Sequence, residues 1–99
     1  MRPKKIRWIK CDSQTRCFRP HGKSLRTKEV VVVSLDEFEA MRLLDLEELS
    51  QEEVAKKMRV HRSTISRISQ SGHKKIMDAL VQRKTLKIEG GCCKIVNGG

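Results

Sequence analysis

The sequence predicts a mainly α fold: a helix-turn-helix unit of three helices with short β-strands flanking it. Three observations predict it. Two Ser-x-x-Glu capping boxes mark helix starts, at Ser34 with Glu37 and at Ser50 with Glu53. Apolar residues recur at helical spacing after each box and again beyond a tight turn near Val60. Short runs of strand character, EVVVV at 29–33 and TLKIE at 85–89, bracket the helices. At 99 residues the chain is expected to form one domain over residues 1–91 with a modest core, followed by a flexible tail over 92–99.

Taken in order, residues 1–33 are read as a basic arm, a loop and a strand. Ile6 to Ile9 is a candidate short strand, and Pro3, Pro20 and Gly22 break up what surrounds it. Cys11 to Lys28 has no sustained period and is expected to be irregular, pinned by Phe18 and Leu25. The EVVVV run favours an extended segment that must be buried or paired. Ser34 then opens a helix whose first turns carry Asp36, Glu37 and Glu39, suited to the positive helix end. Leu35, Phe38, Met41, Leu43, Leu44 and Leu46 give this helix a broad apolar face, so its acids are expected to lie away from any polyanion.

Residues 34–84 hold the helical unit. After a turn at 46–50, the second box starts a helix in which Val54, Ala55 and Met58 share a face, Ala55 being small where another helix must cross closely. Met58, Arg59 and Val60 make the turn, with Val60 as its apolar plug. A further helix begins at His61, turning Ile65 and Ile68 inward, and its pattern continues through Ile76, Met77, Ala79, Leu80 and Val81. Gly72 falls inside that pattern, where glycine costs roughly 1 kcal/mol relative to alanine, and marks a bend or a close packing contact. TLKIE then alternates as a last strand before Gly90 and Gly91.

Charge is segregated along the chain rather than mixed. Of the net +10, residues 1–28 carry ten Lys/Arg against one acid, residues 29–53 carry one against nine, and residues 54–87 carry ten against one. Basic blocks either side of an acidic helix suggest a side that faces a polyanion, and the second block coincides with the helix-turn-helix. In that motif the start of the second helix enters the major groove, where exposed side chains reach base edges. His61, Arg62, Ser63, Ser66, Arg67 and Gln70 are therefore the expected DNA-facing residues, Arg62 and Arg67 as bidentate readers of guanine. Gln51 is placed for a phosphate, and Lys74 and Lys75 back the helix. Thr64 is expected to be half-buried.

Other classes are weighed on the same residues. No glycine-rich phosphate loop, paired acids in a cleft or nucleophile with a base is present, so an enzyme is not expected. No apolar run of membrane-spanning length exists, and MRPKKIRWIK lacks the apolar stretch of a secretory signal, so the protein is expected in the cytoplasm with reduced thiols. No cofactor is expected. Cys11, Cys17, His21, Cys92 and Cys93 are weak candidates for a structural or sensing metal, with poor spacing and no C-x-x-C. Double-stranded DNA is the expected partner. A homodimer on two half-sites follows from the small size of one motif, with EVVVV and TLKIE as candidate dimer elements. An RNA-binding or polymerase-associated protein is the alternative, and a metal- or thiol-sensing regulator another.

With these residues laid out, the chain resembles a family of short prokaryotic predicted DNA-binding proteins of uncharacterised function, whose helix-turn-helix is similar to region four of sigma factors. The resemblance covers residues 2–91. It rests on Arg2-Pro3, Phe18-Arg19-Pro20-His21-Gly22, Leu35-Asp36-Glu37-Phe38-Glu39-Ala40-Met41-Arg42-Leu43, Leu49-Ser50-Gln51-Glu52-Glu53, Arg62-Ser63-Thr64 and Ile88-Glu89-Gly90-Gly91. It implies DNA binding in transcription, with RNA polymerase as a further candidate partner. The chain departs from the pattern at Glu48 and Arg59, which stand where glycine is usual, each just past a helix where the backbone often turns left-handed.

Overall fold

A computed structural model of the chain describes residues 7–9, 16–21, 29–90 and 93–95. In order, the elements are β1 (Arg7–Ile9), β2 (Arg16–Phe18), β3 (Val30–Val33), α1 (Leu35–Met41), a wide π-type turn (Arg42–Leu46), α2 (Gln51–Met58), α3 (Arg62–Gln82), β4 (Thr85–Ile88) and β5 (Cys93–Ile95). The described chain is mainly helical, with three α-helices and a small sheet in the order β2-β4-β3.

Both capping boxes form. Ser34 and Ser50 accept the N–H of Glu37 and Glu53 at 3.4 and 3.1 Å, and each carboxylate accepts the serine's own N–H in return, at 2.9 and 3.0 Å. α1 does not run on regularly to Leu46. The N–H of Glu47 donates to the Arg42 carbonyl at 3.0 Å, five residues back, which widens the last turn and advances the helical phase. Leu43 stays buried as a result, whereas Leu46, expected on the apolar face, is 74% exposed.

Val33, Met41, Val54, Met58, Ile65 and Ile88 lie at the centre of one core, with Phe38, Leu44, Val60, Ile68 and Leu86 packed against it. Burying a side chain the size of Met58 or Ile65 contributes about 1.5–3 kcal/mol, so a few such residues hold the three helices together. α3 is continuous through Gly72. That glycine serves close packing, because a Cβ there would stand 2.6 and 2.8 Å from Cε and Sδ of Met41 on α1.

EVVVV and TLKIE, candidates for contact between copies, pair with each other inside the chain: β3 and β4 run parallel from Val30 opposite Thr85 to Val33 opposite Ile88. The three helices form the crossover between them. β2 lies within the segment expected to be irregular and pairs antiparallel with β4, Cys17 opposite Lys87. Cys93–Ile95, assigned from sequence to the flexible tail, instead forms β5, parallel to β1 with Trp8 opposite Lys94. Three-residue strands are too short for a readable period, and only a partner distant in sequence gives each its ladder.

Candidate nucleic-acid interface

α2 and α3 meet through a three-residue turn. Arg59 closes α2 in the left-handed conformation, φ 57°, with its N–H bonded to the carbonyls of Ala55 and Lys56. Val60 donates to the Ala55 carbonyl and packs against the core, as expected of the plug. His61 is the N-cap of α3 rather than its first helical residue: its Nδ1 accepts the N–H of Ser63 at 3.1 Å and sits 2.9 Å from the Ser63 hydroxyl. This bond fixes the imidazole beside the helix start.

From that start, Ser63, Arg67, Gln70 and Lys74 follow one another at spacings of four, three and four residues, which makes a single exposed row along α3. Arg62 is also exposed, and Ser66 is half-buried at the edge of the row. Gln51 opens α2 beside them. With His61, Arg62, Ser63 and Ser66 it lines an open concavity of about 380 Å³. Thr64 is half-buried, as expected. Eight of the nine residues expected to meet DNA thus lie at this α2–α3 face or along the row that continues it.

Lys75 is placed differently. Its Nζ lies 3.0 Å from both carboxylate oxygens of Glu37 on α1, and the Ser71 hydroxyl donates to the same carboxylate at 2.6 Å. Burial pushes the Glu37 carboxyl up, but the bonds from Ser71, the Ser34 N–H and Lys75 outweigh it and hold the group below the usual glutamate range. Lys75 therefore ties α3 to α1. Sequence reasoning missed this network because Glu37 already has a local role in its capping box, and its other partners lie 34 and 38 residues away.

The acids of the α1 region are mostly spent internally. Asp36, Glu37 and Glu39 are buried, and Glu39 makes a two-pronged pair with Arg42 at 2.7 and 3.1 Å. Besides Glu37 with Lys75, Asp45 departs from the expectation that these acids lie apart from the basic face: its Oδ2 is 2.7 Å from Nε2 of His73 on α3.

Cys17 and His21 are exposed, and no group of three or more His, Cys, Asp or Glu is arranged to hold a metal among the described residues. Cys11 and Cys92 lie outside the described residues. No helix among the described residues is long and apolar enough to cross a membrane.

Comparison with known proteins places these features in a family. The family described as "protein of unknown function DUF134" matches residues 1–96. A UPF0251 protein of Caldanaerobacter subterraneus is 45% identical over 94 residues, covering 95% of this chain and 80% of the relative. One from Prosthecochloris aestuarii is 46% identical over 91% of this chain and 58% of its own length. One from the archaeon Methanosarcina mazei is 41% identical over 99% of this chain and 60% of its own. The chain thus spans about three fifths of the length of the latter two. No solved structure matches it. The chain belongs to this family of uncharacterised prokaryotic proteins.

Proposed function

We propose that this member of the family is a sequence-specific DNA-binding protein acting in transcription, with α2, the turn and α3 as a helix-turn-helix similar to that of sigma-factor region four. The observation that carries the reading is the exposed row Ser63, Arg67, Gln70 and Lys74, running from the capped start of α3 beside Arg62 and Gln51. Arg62 and Arg67 would read guanine through paired donors, Ser63, Ser66 and Gln70 would meet bases or phosphates, and Gln51 and Lys74 would hold the backbone. The net charge of +10 supports the same reading, because a polyanion recruits such a surface over a distance. Acting in the cytoplasm and in contact with RNA polymerase are parts of the proposal that the motif's likeness to region four supports.

Selection from a random duplex pool at physiological salt tests it. Recovery of a common motif is expected, with Arg62→Ala and Arg67→Ala each losing about 1–3 kcal/mol of binding and relaxing one position of that motif. Equal retention of all sequences with steep salt dependence would overturn sequence specificity and leave general attraction to nucleic acid.

A further inference from the structure

α3 has 21 residues, far more than a reading segment needs, and its second half is unusual in a different way. Met77 and Leu80 are 54% and 65% exposed, and Val81 beside them is 66% exposed. Leu80 also joins Phe18, Pro20, Ala79 and Leu86 in a hollow of about 230 Å³, so the apolar surface extends off the helix onto β2 and its following loop. A contiguous apolar surface of this kind marks an interaction site.

The surface is charged oppositely at its two ends. Towards the middle of α3 stands Asp45 against His73, followed in the chain by exposed Glu47 and Glu48. At the helix end stand Arg83, whose guanidinium donates to the His21 carbonyl at 3.3 Å, and exposed Arg19. A stripe that is acidic, then apolar, then basic complements itself when a second identical stripe is laid over it in the opposite direction. We propose that this half of α3 is where two copies of the chain associate, antiparallel about a two-fold axis near residue 78, with Met77 and Leu80 in the middle and Arg83 of each copy over Asp45 of the other.

Two geometric consequences agree with this arrangement, and both rest on the DNA-binding reading. Residues 63–70 centre about 17 Å along the helix from the axis, at 1.5 Å per residue, so two copies would present their reading segments about 34 Å apart. Where α3 runs nearly parallel to the duplex, that is one turn of B-DNA, the spacing of half-sites for paired helix-turn-helix units. At 100° per residue, His73 and Leu80 also lie about 90–110° round the helix from the row Ser63, Arg67, Gln70 and Lys74, and Met77 about 50°. A two-fold contact that leaves both rows facing one duplex needs an offset of about a right angle, because the axis points at the DNA and the contact lies across it.

Sedimentation of the full chain at tens of micromolar without DNA tests the surface. A dimer is expected, and Leu80→Glu, at an exposed position that leaves the circular dichroism unchanged, is expected to weaken it by about tenfold or more. Arg83→Glu and Asp45→Arg should each weaken it by about tenfold, and the two together should restore it to within about threefold of the unsubstituted chain, because each exchanged pair again meets opposite charge. A monomeric unsubstituted chain, an undisturbed Leu80→Glu dimer, or a double variant weaker than both singles would overturn the proposal. A dimer through Leu80 in a protein that selects no DNA sequence would uphold the surface and overturn the DNA reading; a monomer that selects one would do the reverse.

Discussion

Arg59 holds φ 57°, and Glu48 holds φ 56°, in the region that L-residues enter at a cost of roughly 1 kcal/mol. These are the two positions where the resemblance drawn from the sequence leads one to expect glycine. Arg59→Gly and Glu48→Gly should therefore each raise stability by about 0.5–1 kcal/mol, less than the full strain because glycine adds freedom to the unfolded chain. Thermal melts at neutral pH measure this, and DNA affinity should be unchanged for Arg59→Gly. A loss of binding would mean that the Arg59 side chain meets DNA. Glu37 is a second residue whose environment makes a measurable demand. Its carboxyl titrates below the usual range in the folded state, so its ionised form adds stability that is complete above the unfolded value of about 4.3 and disappears as pH falls through the folded value. Glu37→Gln is expected to cost about 1–2 kcal/mol at neutral pH through the weakened bonds to Ser71 and Lys75. The gap between the two proteins should close on acidification, which melts at pH 7 and pH 3 would show.

At the scale of elements, α1 and α3 are held together by that polar lock and, one turn along α1, by Gly72 against Met41. Gly72→Ala adds about 1 kcal/mol of helix propensity but forces the Met41 thioether to move. The two effects should nearly cancel, whereas in a Met41→Ala background the same Gly72→Ala change should be stabilising by about 1 kcal/mol, and denaturant melts of the four proteins give the coupling. The elements also show what was readable in advance. Helix starts were, because capping boxes are local chemistry: Ser34, Ser50 and their glutamates needed no tertiary partner. The contacts between helices were not. Gly72 signalled either a bend or a close approach, and only the position of Met41 distinguishes them. Leu46 was misplaced because a single wide turn changes the helical phase, and nothing in the periodicity of Leu35 to Leu46 announces it.

For the whole molecule, the charge blocks correctly separated a basic α3 from acids that are mostly buried or paired, yet they gave no hint that Asp45 touches His73. The candidate site was legible as a set of residues because it lies on one helix and the start of its neighbour, where spacing alone determines which side chains align. Lys75 departs from the row because the helical turn sets it about 100° round α3 from Lys74, and what it meets there, Glu37 of α1, is distant in sequence. The short strands were not legible from spacing either: β2 and β5 take their pairing from β4 and β1, far away in sequence.

The parallel pairing of β3 with β4 also constrains the order in which the fold is assembled. Val30 and Thr85 are separated by more than half of the chain, and everything between them is helical crossover. Helices capped by their own serines can form early and locally, but the sheet beneath them must wait until Ile88 is available. On a ribosome, a nascent chain that ends within α3 would leave the valines of β3 without their ladder, as an unpaired β-branched edge open to any other strand. The time needed to synthesise the stretch from β3 to β4 is then the interval in which this small protein is most exposed to aggregation, and the interval ends when β4 docks between β2 and β3.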